Sequence, residues 1–298
     1  MTEPAPLVPD RRRAIQRGAF WMFLAALSFT TMIACVRYLE NRYPSVEVVF
    51  FRALVGLIFV VPPLMQHGLA GLGTKRIGMH FSRAAFAMAA MLTFYYGVAF
   101  VPLSEATAYS FIIPLFATVA AAVILREHVD APRWIATIVG FTGTLVILRP
   151  GQAEITLPVL MLLLSAAFYA GSWTSLKFLT RTESASLIVF YMNVMIVPLA
   201  LVPTLIVGTM PTVEDLPILV AIGLFGTFAH FCQAKSYEAA DASAVMPFDF
   251  LRLPLSVVFA WFLFGEPTNI FTWIGAVIIF GSSWFIGWHE SRAGRKAA

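Results

Sequence analysis

The chain has 298 residues, of which 59% are hydrophobic and 12% charged. That charge content is roughly half the ~25% of a soluble domain, and the apolar residues come in long blocks, which excludes a soluble globular protein and makes the bilayer the solvent. The formal charge of +4 sits in short loops between the blocks, so it reports topology and does not point to a nucleic-acid partner.

Arg11, Arg12, Arg13 and Arg17 precede the first apolar run, as in the charged region of a signal peptide. The run is too long for one and no small-residue cleavage site closes it, so a retained first helix is expected. A span needs ~20 mostly apolar residues. Ten segments meet or approach this: 18–38, 46–65, 79–100, 103–125, 132–149, 157–178, 185–208, 216–236, 242–264 and 270–288. Short connections carry the punctuation, such as Gly68, Gly71 and Gly73 after the second span and Pro150-Gly151 after the fifth. The expectation is an all-α polytopic membrane protein with tails at 1–17 and 289–298.

Lys and Arg set orientation, because positive loops stay in the cytoplasm. With the N-terminus inside, the cytoplasmic face receives Arg11 to Arg17, Lys75, Arg76, Arg83, Arg126, Arg133, Lys177, Arg181, Lys235 and the basic C-terminus. Only Arg37, Arg42 and Arg149 fall outside. Both termini are therefore expected in the cytoplasm.

Part of the chain is written twice. Ser104, Phe111, Glu127 and Trp134 recur 139 residues later as Ser243, Phe250, Glu266 and Trp273, and Arg37-Tyr38-Leu39 matches Lys177-Phe178-Leu179 at an offset of 140. In the ten-span topology Glu127 is cytoplasmic and Glu266 external. Residues 18–149 and 157–288 thus read as two inverted five-helix repeats around a central cavity, the architecture of alternating access.

Cys35 and Cys232 lie within apolar segments, as buried reduced thiols do, and the five histidines show no metal-ligand spacing. No cofactor or metal is expected. No phosphate-binding loop is present, so a gradient, exchange or facilitated flux must supply the driving force.

Several features resemble the drug/metabolite transporter superfamily, and within it the ten-span proteins with two EamA-type repeats. They are Val46-Glu47-Val48-Val49-Phe50-Phe51-Arg52; the run through Pro114-Leu115-Phe116, Glu127, Trp134, Gly140-Phe141-Thr142-Gly143 and Leu148-Arg149-Pro150; and Ala240-Asp241-Ala242-Ser243 onward to Glu266. The resemblance implies two five-helix bundles around a cavity, with spans five and ten peripheral and available for homodimer contact. It also implies a small-molecule substrate and a bacterial inner-membrane location.

A charge inside a span costs ~2.5–3.5 kcal/mol or more, so each must face a cavity, pair or snorkel. Arg52, six residues into span two, either ties helices together through carbonyls or a carboxylate such as Glu47, or meets an anionic substrate group. Asp249 and Arg252, three apart in span nine between Pro247 and Pro254, form either a locking pair or a substrate- or proton-coupling pair, and span four has Ser110 and Ile113 in their places. Glu105 reads as a first-turn carboxylate or a gate contact. His230 reads as a packing residue or a proton relay, in a polar stripe with Gln233, Lys235 and Glu238. Tyr95, Tyr96, Tyr109, Tyr169, Trp173, Tyr191 and Asn193 are candidate cavity walls for a flat or cationic substrate.

The function expected is a secondary active or facilitative carrier of a small organic metabolite, an amino acid or a nucleoside-like zwitterion such as S-adenosylmethionine. An exporter of amphipathic cations is the alternative. A membrane-embedded transferase is a third reading, disfavoured because the intramembrane acids are few and separated.

Overall fold

A computed structural model describes residues 9–39, 42–65, 73–113, 115–116, 119, 131–149, 156–240, 245, 248–249 and 251–297. Among them are ten helices: α1 (Pro9–Tyr38), α2 (Ser45–Met65), α3 (Ile77–Phe100), α4 (Leu103–Ser110), α5 (Ala131–Leu148), α6 (Leu157–Leu179), α7 (Ala185–Val207), α8 (Leu216–Ala239), α9 (Arg252–Phe264) and α10 (Ile270–Ala297). Six of these, α1, α2, α3, α6, α7 and α8, contain stretches long and apolar enough to cross a bilayer, and three more carry shorter apolar stretches. Spans four and nine are described only in part, since 114, 117–118, 120–130, 241–244, 246–247 and 250 lie outside the described residues. Pro114, Glu127, Pro150, Ser243, Pro247 and Phe250 lie outside those residues, so the first acidic mark of the repeat has no structural counterpart here.

The outward faces are apolar: Leu205 is 77% exposed, Phe262 72% and Trp261 64%. In water such a surface would drive aggregation; in lipid it is the solvated face. Inward, the large core around Met22, Phe29, Val49, Met91, Phe94, Met192 and Ile222 joins helices of both halves.

Helix contacts follow a two-fold pattern. The most extensive are α1 on α8 and α3 on α6, followed by α5 on α10 and α2 on α7, with α4 on α9 further down the same order. Exchanging each helix with the one five later in the chain converts the first pair into the second and returns each of the other three to itself. Every strong interface is thus between the halves, so each half completes the other's core.

The end contacts show how the halves point. At one end lie the C-terminus of α1, the turn into α2, the C-terminus of α3, the start of α4 and the α9–α10 turn, joined by Arg37, Leu103 and Glu266. The α7–α8 turn joins the same end through Tyr43 and Asp215. At the other end Ser236, near the C-terminus of α8, donates to the Gly18 carbonyl of α1, and Thr74, before α3, donates to Glu183 after α6. Helices five apart therefore run in opposite directions, and the repeats are inverted.

Close crossings require missing side chains. A Cβ on Gly275 would sit 2.5 Å from the Gly143 carbonyl oxygen, so α5 and α10 touch backbone to backbone. Gly265, at φ +64°, ends α9 in the left-handed conformation. Its N–H bonds to the Trp261 carbonyl, the αL cap, and that of Glu266 to the Ala260 carbonyl, which turns Glu266 out of the helix line.

Candidate functional site

Four helices of both halves bring polar side chains together in the middle of the bundle. Arg52, three residues before the midpoint Val55 of the 45–65 helix, is 0% exposed; its Nη2 donates to the Gly226 carbonyl of α8 at 3.4 Å, while Nε and Nη1 have no partner. Arg83 of α3 is 2% exposed; its Nη2 lies 3.5 Å from Met192 Sδ of α7, and its Nε and Nη1 are likewise unpartnered. The two guanidinium groups are within electrostatic reach of each other and of His230.

One turn beyond Arg52 lie Asn193 and Thr227. Gly56, one turn beyond Arg52, makes the approach possible: a Cβ there would sit 2.0 Å from Thr227 Oγ1 and 2.9 Å from Asn193 Nδ2. Asn193 and Thr227 are buried, and neither the amide nor the hydroxyl has a partner. Leaving such groups unsatisfied in an apolar interior costs about 1–3 kcal/mol each. Seven such atoms on Arg52, Arg83, Asn193 and Thr227, beyond the scattered ones at His80, Thr144 and Arg149, mark a site for something else to complete, since most buried polar groups in proteins are paired.

Aromatic rings form the neighbouring wall. Arg252 bonds to the Asp249 carboxylate, with side-chain exposures of 6% and 8%, and its guanidinium lies 5.7 Å from the Phe29 ring centroid, 5.5 Å from Phe111 and 6.0 Å from Trp173. Tyr169 packs edge-on to Phe94 at 6.3 Å and lies within electrostatic reach of Tyr95, Arg52 and Arg252. The wall thus continues directly into the cationic cluster. Phe29 also meets the His230 ring edge-on at 5.0 Å.

The structure distributes the sequence candidates unequally. Arg52, Tyr95, Asn193 and His230 are together, with Trp173, Asp249 and Arg252 beside them. Tyr96 packs on Phe100 at 5.3 Å and stays out of the cluster, because adjacent helical residues point ~100° apart. Tyr109 and Glu105 belong to the Arg37 end, within reach of Arg149, and Glu105 also of Glu266. Glu47 does not pair with Arg52: it accepts from the Thr209 N–H at 2.8 Å, closing the C-terminus of α7. Pro254 breaks nothing, since it is the third residue of α9, where N–H groups have no helical acceptor.

Arg83 is the correction of most consequence. Counted by charge bias it belongs to the cytoplasmic face, four residues into a span expected at 79–100, whereas α3 starts at Ile77 and carries it about 9 Å inward at 1.5 Å per residue. The depth argument that singles out Arg52 identifies Arg83 once that boundary is known. Thr227, at the close crossing with Gly56, has no comparable sequence signal.

Arg37, Arg42 and Arg149 gather at one end. Arg37 Nη2 pairs with Glu266 Oε1 at 2.9 Å, its Nη1 reaches the Val98 and Ala99 carbonyls, and Glu266 Oε2 accepts from the Leu103 N–H at 2.9 Å. Arg149 lies over the Phe271 ring at 5.2 Å. Nearby, Asp215 accepts from Tyr43 at 2.8 Å and Arg42 at 2.9 Å; the Tyr43 bond, with help from Arg42, holds its carboxyl below the usual range. These contacts tie α1, α3 and α4 to the α9–α10 turn, and the α1–α2 turn to the α7–α8 turn. Among the described residues no group of three or more His, Cys, Asp or Glu gathers as a metal site would require.

The profile of the EamA-like transporter family matches residues 16–149 and again 156–288. The chain belongs to the EamA-like transporter family. Its sequence is 35% identical to a riboflavin transporter of Brucella anthropi over 92% of this chain and 97% of that protein. It is 30% identical to an S-adenosylmethionine uptake transporter of Rickettsia prowazekii, covering 95% and 97%. A pseudopaline exporter of Pseudomonas aeruginosa is 23% identical over 89% and 94%. A solved crystal structure superposes with a TM-score of 0.65 at 15% identity, covering 93% of this chain and 99% of that one, a likeness of fold alone. This EamA-like protein is therefore a multi-pass membrane transporter and not an enzyme, and its paired family matches coincide with the two halves that exchange in the contact pattern.

Proposed function

We propose that this EamA-like carrier moves a flat heteroaromatic metabolite of the flavin kind, bound at the central cluster. The observation that carries this reading is the continuity of ring faces with unpaired cationic donors: Phe29, Phe94, Tyr169 and Trp173 on one side, Arg52, Arg83 and Asn193 on the other. A ring system rich in carbonyl and imine acceptors would stack on the first set and accept from the second. Three riboflavin transporters at 32–35% identity support the same class. A sulfonium such as S-adenosylmethionine would enter a field already set by Arg52 and Arg83, with Asp249 engaged by Arg252, and amphipathic cations meet the same repulsion.

In this reading residues 18–149 and 157–288 are the two moving repeats, both termini are cytoplasmic and the Arg37 end is external. A homodimer would use α5 and α10, whose apolar outer faces carry Ile135, Ile138, Ile274 and Val277. The test is uptake of radiolabelled riboflavin into proteoliposomes holding the purified carrier. Saturable uptake, competed by excess flavin and untouched by S-adenosylmethionine, is expected. Saturable S-adenosylmethionine flux without flavin flux would overturn the assignment.

A further inference from the structure

The midplane charges do not balance. Three arginines, Arg52, Arg83 and Arg252, are 0%, 2% and 5% exposed, and Asp249, 6% exposed, already bonds Arg252. The buried Glu47 is spent on Thr209 near the Arg37 end. Among the described residues, no carboxylate pairs with Arg52 or Arg83, and each offers two nitrogens with no acceptor. Their present contacts are a 3.4 Å bond to a carbonyl and a 3.5 Å approach to a thioether, which do not neutralise a charge. An intramembrane charge without a partner is among the most costly features a membrane protein can keep, and two within electrostatic reach of each other add mutual repulsion. The amide of Asn193 and the hydroxyl of Thr227, one turn beyond Arg52, add further unpartnered donors.

We propose that Arg52 and Arg83 form a buried anion site, with Asn193 and Thr227 completing it, so that each transport cycle carries a compact anion together with the ring system. This rests on the reading of the central cluster as the transport site and adds a charge requirement to it. The anion has one of two sources: a phosphoryl or carboxylate group of the substrate itself, or a free inorganic anion that accompanies a neutral substrate. Either would turn the two forked donors from a liability into paired, charge-assisted hydrogen bonds, which guanidinium groups make well with oxyanions. Binding at one end and release at the other then require that the anion neutralise the cluster before the repeats rock.

The experiment uses the full-length carrier purified in nonionic detergent and held in sodium gluconate. Thermal unfolding is followed while chloride, inorganic phosphate, flavin mononucleotide or neutral riboflavin is titrated in. A saturable rise in Tm is expected with at least one of the three anions, as mass action requires of a ligand that binds only the folded protein. The midpoint should weaken about tenfold or more in Arg83→Gln and recover in part in Arg83→Lys, which keeps the charge without the fork. A response to chloride or phosphate identifies a free anion; a response to flavin mononucleotide alone identifies the substrate's own group. No saturable rise with any anion in the wild-type protein, or an equal rise in a folded Arg83→Gln, overturns the site. Should the variants not fold, the wild-type titrations still decide. Riboflavin flux independent of every anion would remove the anion site and leave the flavin reading standing, whereas an anion-specific rise without flavin flux would do the reverse.

Discussion

Glu266 holds the Arg37 end shut, and its removal has a calculable effect. Its two oxygens bond the Arg37 guanidinium and the Leu103 N–H, each at 2.9 Å, and the side chains of the ion pair are 19% and 16% exposed, so solvent screens the interaction little. A hydrogen bond to a charged group contributes about 1.5–3 kcal/mol, so two amount to about 3–6 kcal/mol. In Glu266→Ala, Arg37 keeps the Val98 and Ala99 carbonyls, which places the loss near the lower bound, about 3 kcal/mol. At 1.4 kcal/mol per decade this moves the ratio of closed to open about 100-fold toward open. A reporter lies directly beneath: Ala106, 0% exposed, is one turn inside Leu103. In a variant with Cys35→Ser, Cys232→Ala and Ala106→Cys, labelling by a membrane-impermeant maleimide measures opening. Glu266→Ala should accelerate it about 100-fold and Glu266→Gln, which keeps an acceptor without the charge, about tenfold. A rate in Glu266→Ala within about threefold of the parent, in protein that still elutes as one species, would refute the latch.

Asp215 gives a pH prediction of definite sign. Its folded carboxyl titrates below the ordinary value of 3.8, so its stabilisation is fully present above that pH and is lost as pH falls through the lowered value. Tm should thus show an Asp215-dependent fall only under strongly acidic conditions, and Asp215→Asn should flatten it; a fall beginning near neutrality that Asp215→Asn removes would contradict this. Gly56→Ala should lower stability in detergent by about 1–3 kcal/mol, because the new Cβ lies 2.0 Å from Thr227 Oγ1. Thr227→Ala removes that obstruction and sacrifices no hydrogen bond, since the hydroxyl has none, so the double variant should recover part of the loss; no recovery would mean that α2 and α8 do not approach there.

The scaffold is legible in the sequence because its signals are long: apolar blocks and a repeat each integrate over many residues. Arg52 stands out for the same reason, lying well inside any reasonable boundary of its span. Arg83 is lost to a shift of two residues at the start of α3, which moves it from an interfacial position to a buried one. The side-chain period decides between Tyr95 and Tyr96, and sequence adjacency alone favours neither. Asp249 with Arg252 is readable as a pair because three residues bring helical side chains together. The ring faces of Phe29, Phe111 and Trp173 around Arg252 come from three other helical segments, and no local pattern announces them. What the sequence does not contain is the charge balance of the midplane, since that depends on which acids fold near which bases.

Inversion also lets one latch inform the other. Glu266 has Glu127 as its counterpart 139 residues earlier, and Arg37 has Lys177 at an offset of 140. Glu127 and the Lys177 side chain lie outside the described residues; if rocking exchanges the conformations of the two repeats, the repeated sequence alone leads us to expect these two to take the part of Glu266 and Arg37 in the state open at the Arg37 end. Such a second latch would differ in chemistry from the first. Arg37 uses its fork to hold a carboxylate and two carbonyls at once, whereas a lysine ammonium is a point charge that holds fewer partners in fixed geometry. Glu127→Ala should therefore open the Gly18 end, by less than Glu266→Ala opens the other. A cysteine in place of Ala234, 0% exposed on α8 near that end, reports it in the Cys35→Ser, Cys232→Ala background. Labelling there should rise by about tenfold or less, while the Ala106→Cys reporter slows, because loosening one end of a two-state carrier depopulates opening at the other. Acceleration of both reporters by the same substitution would mean that the ends open independently, and alternating access by exchange of the repeats would not describe this protein.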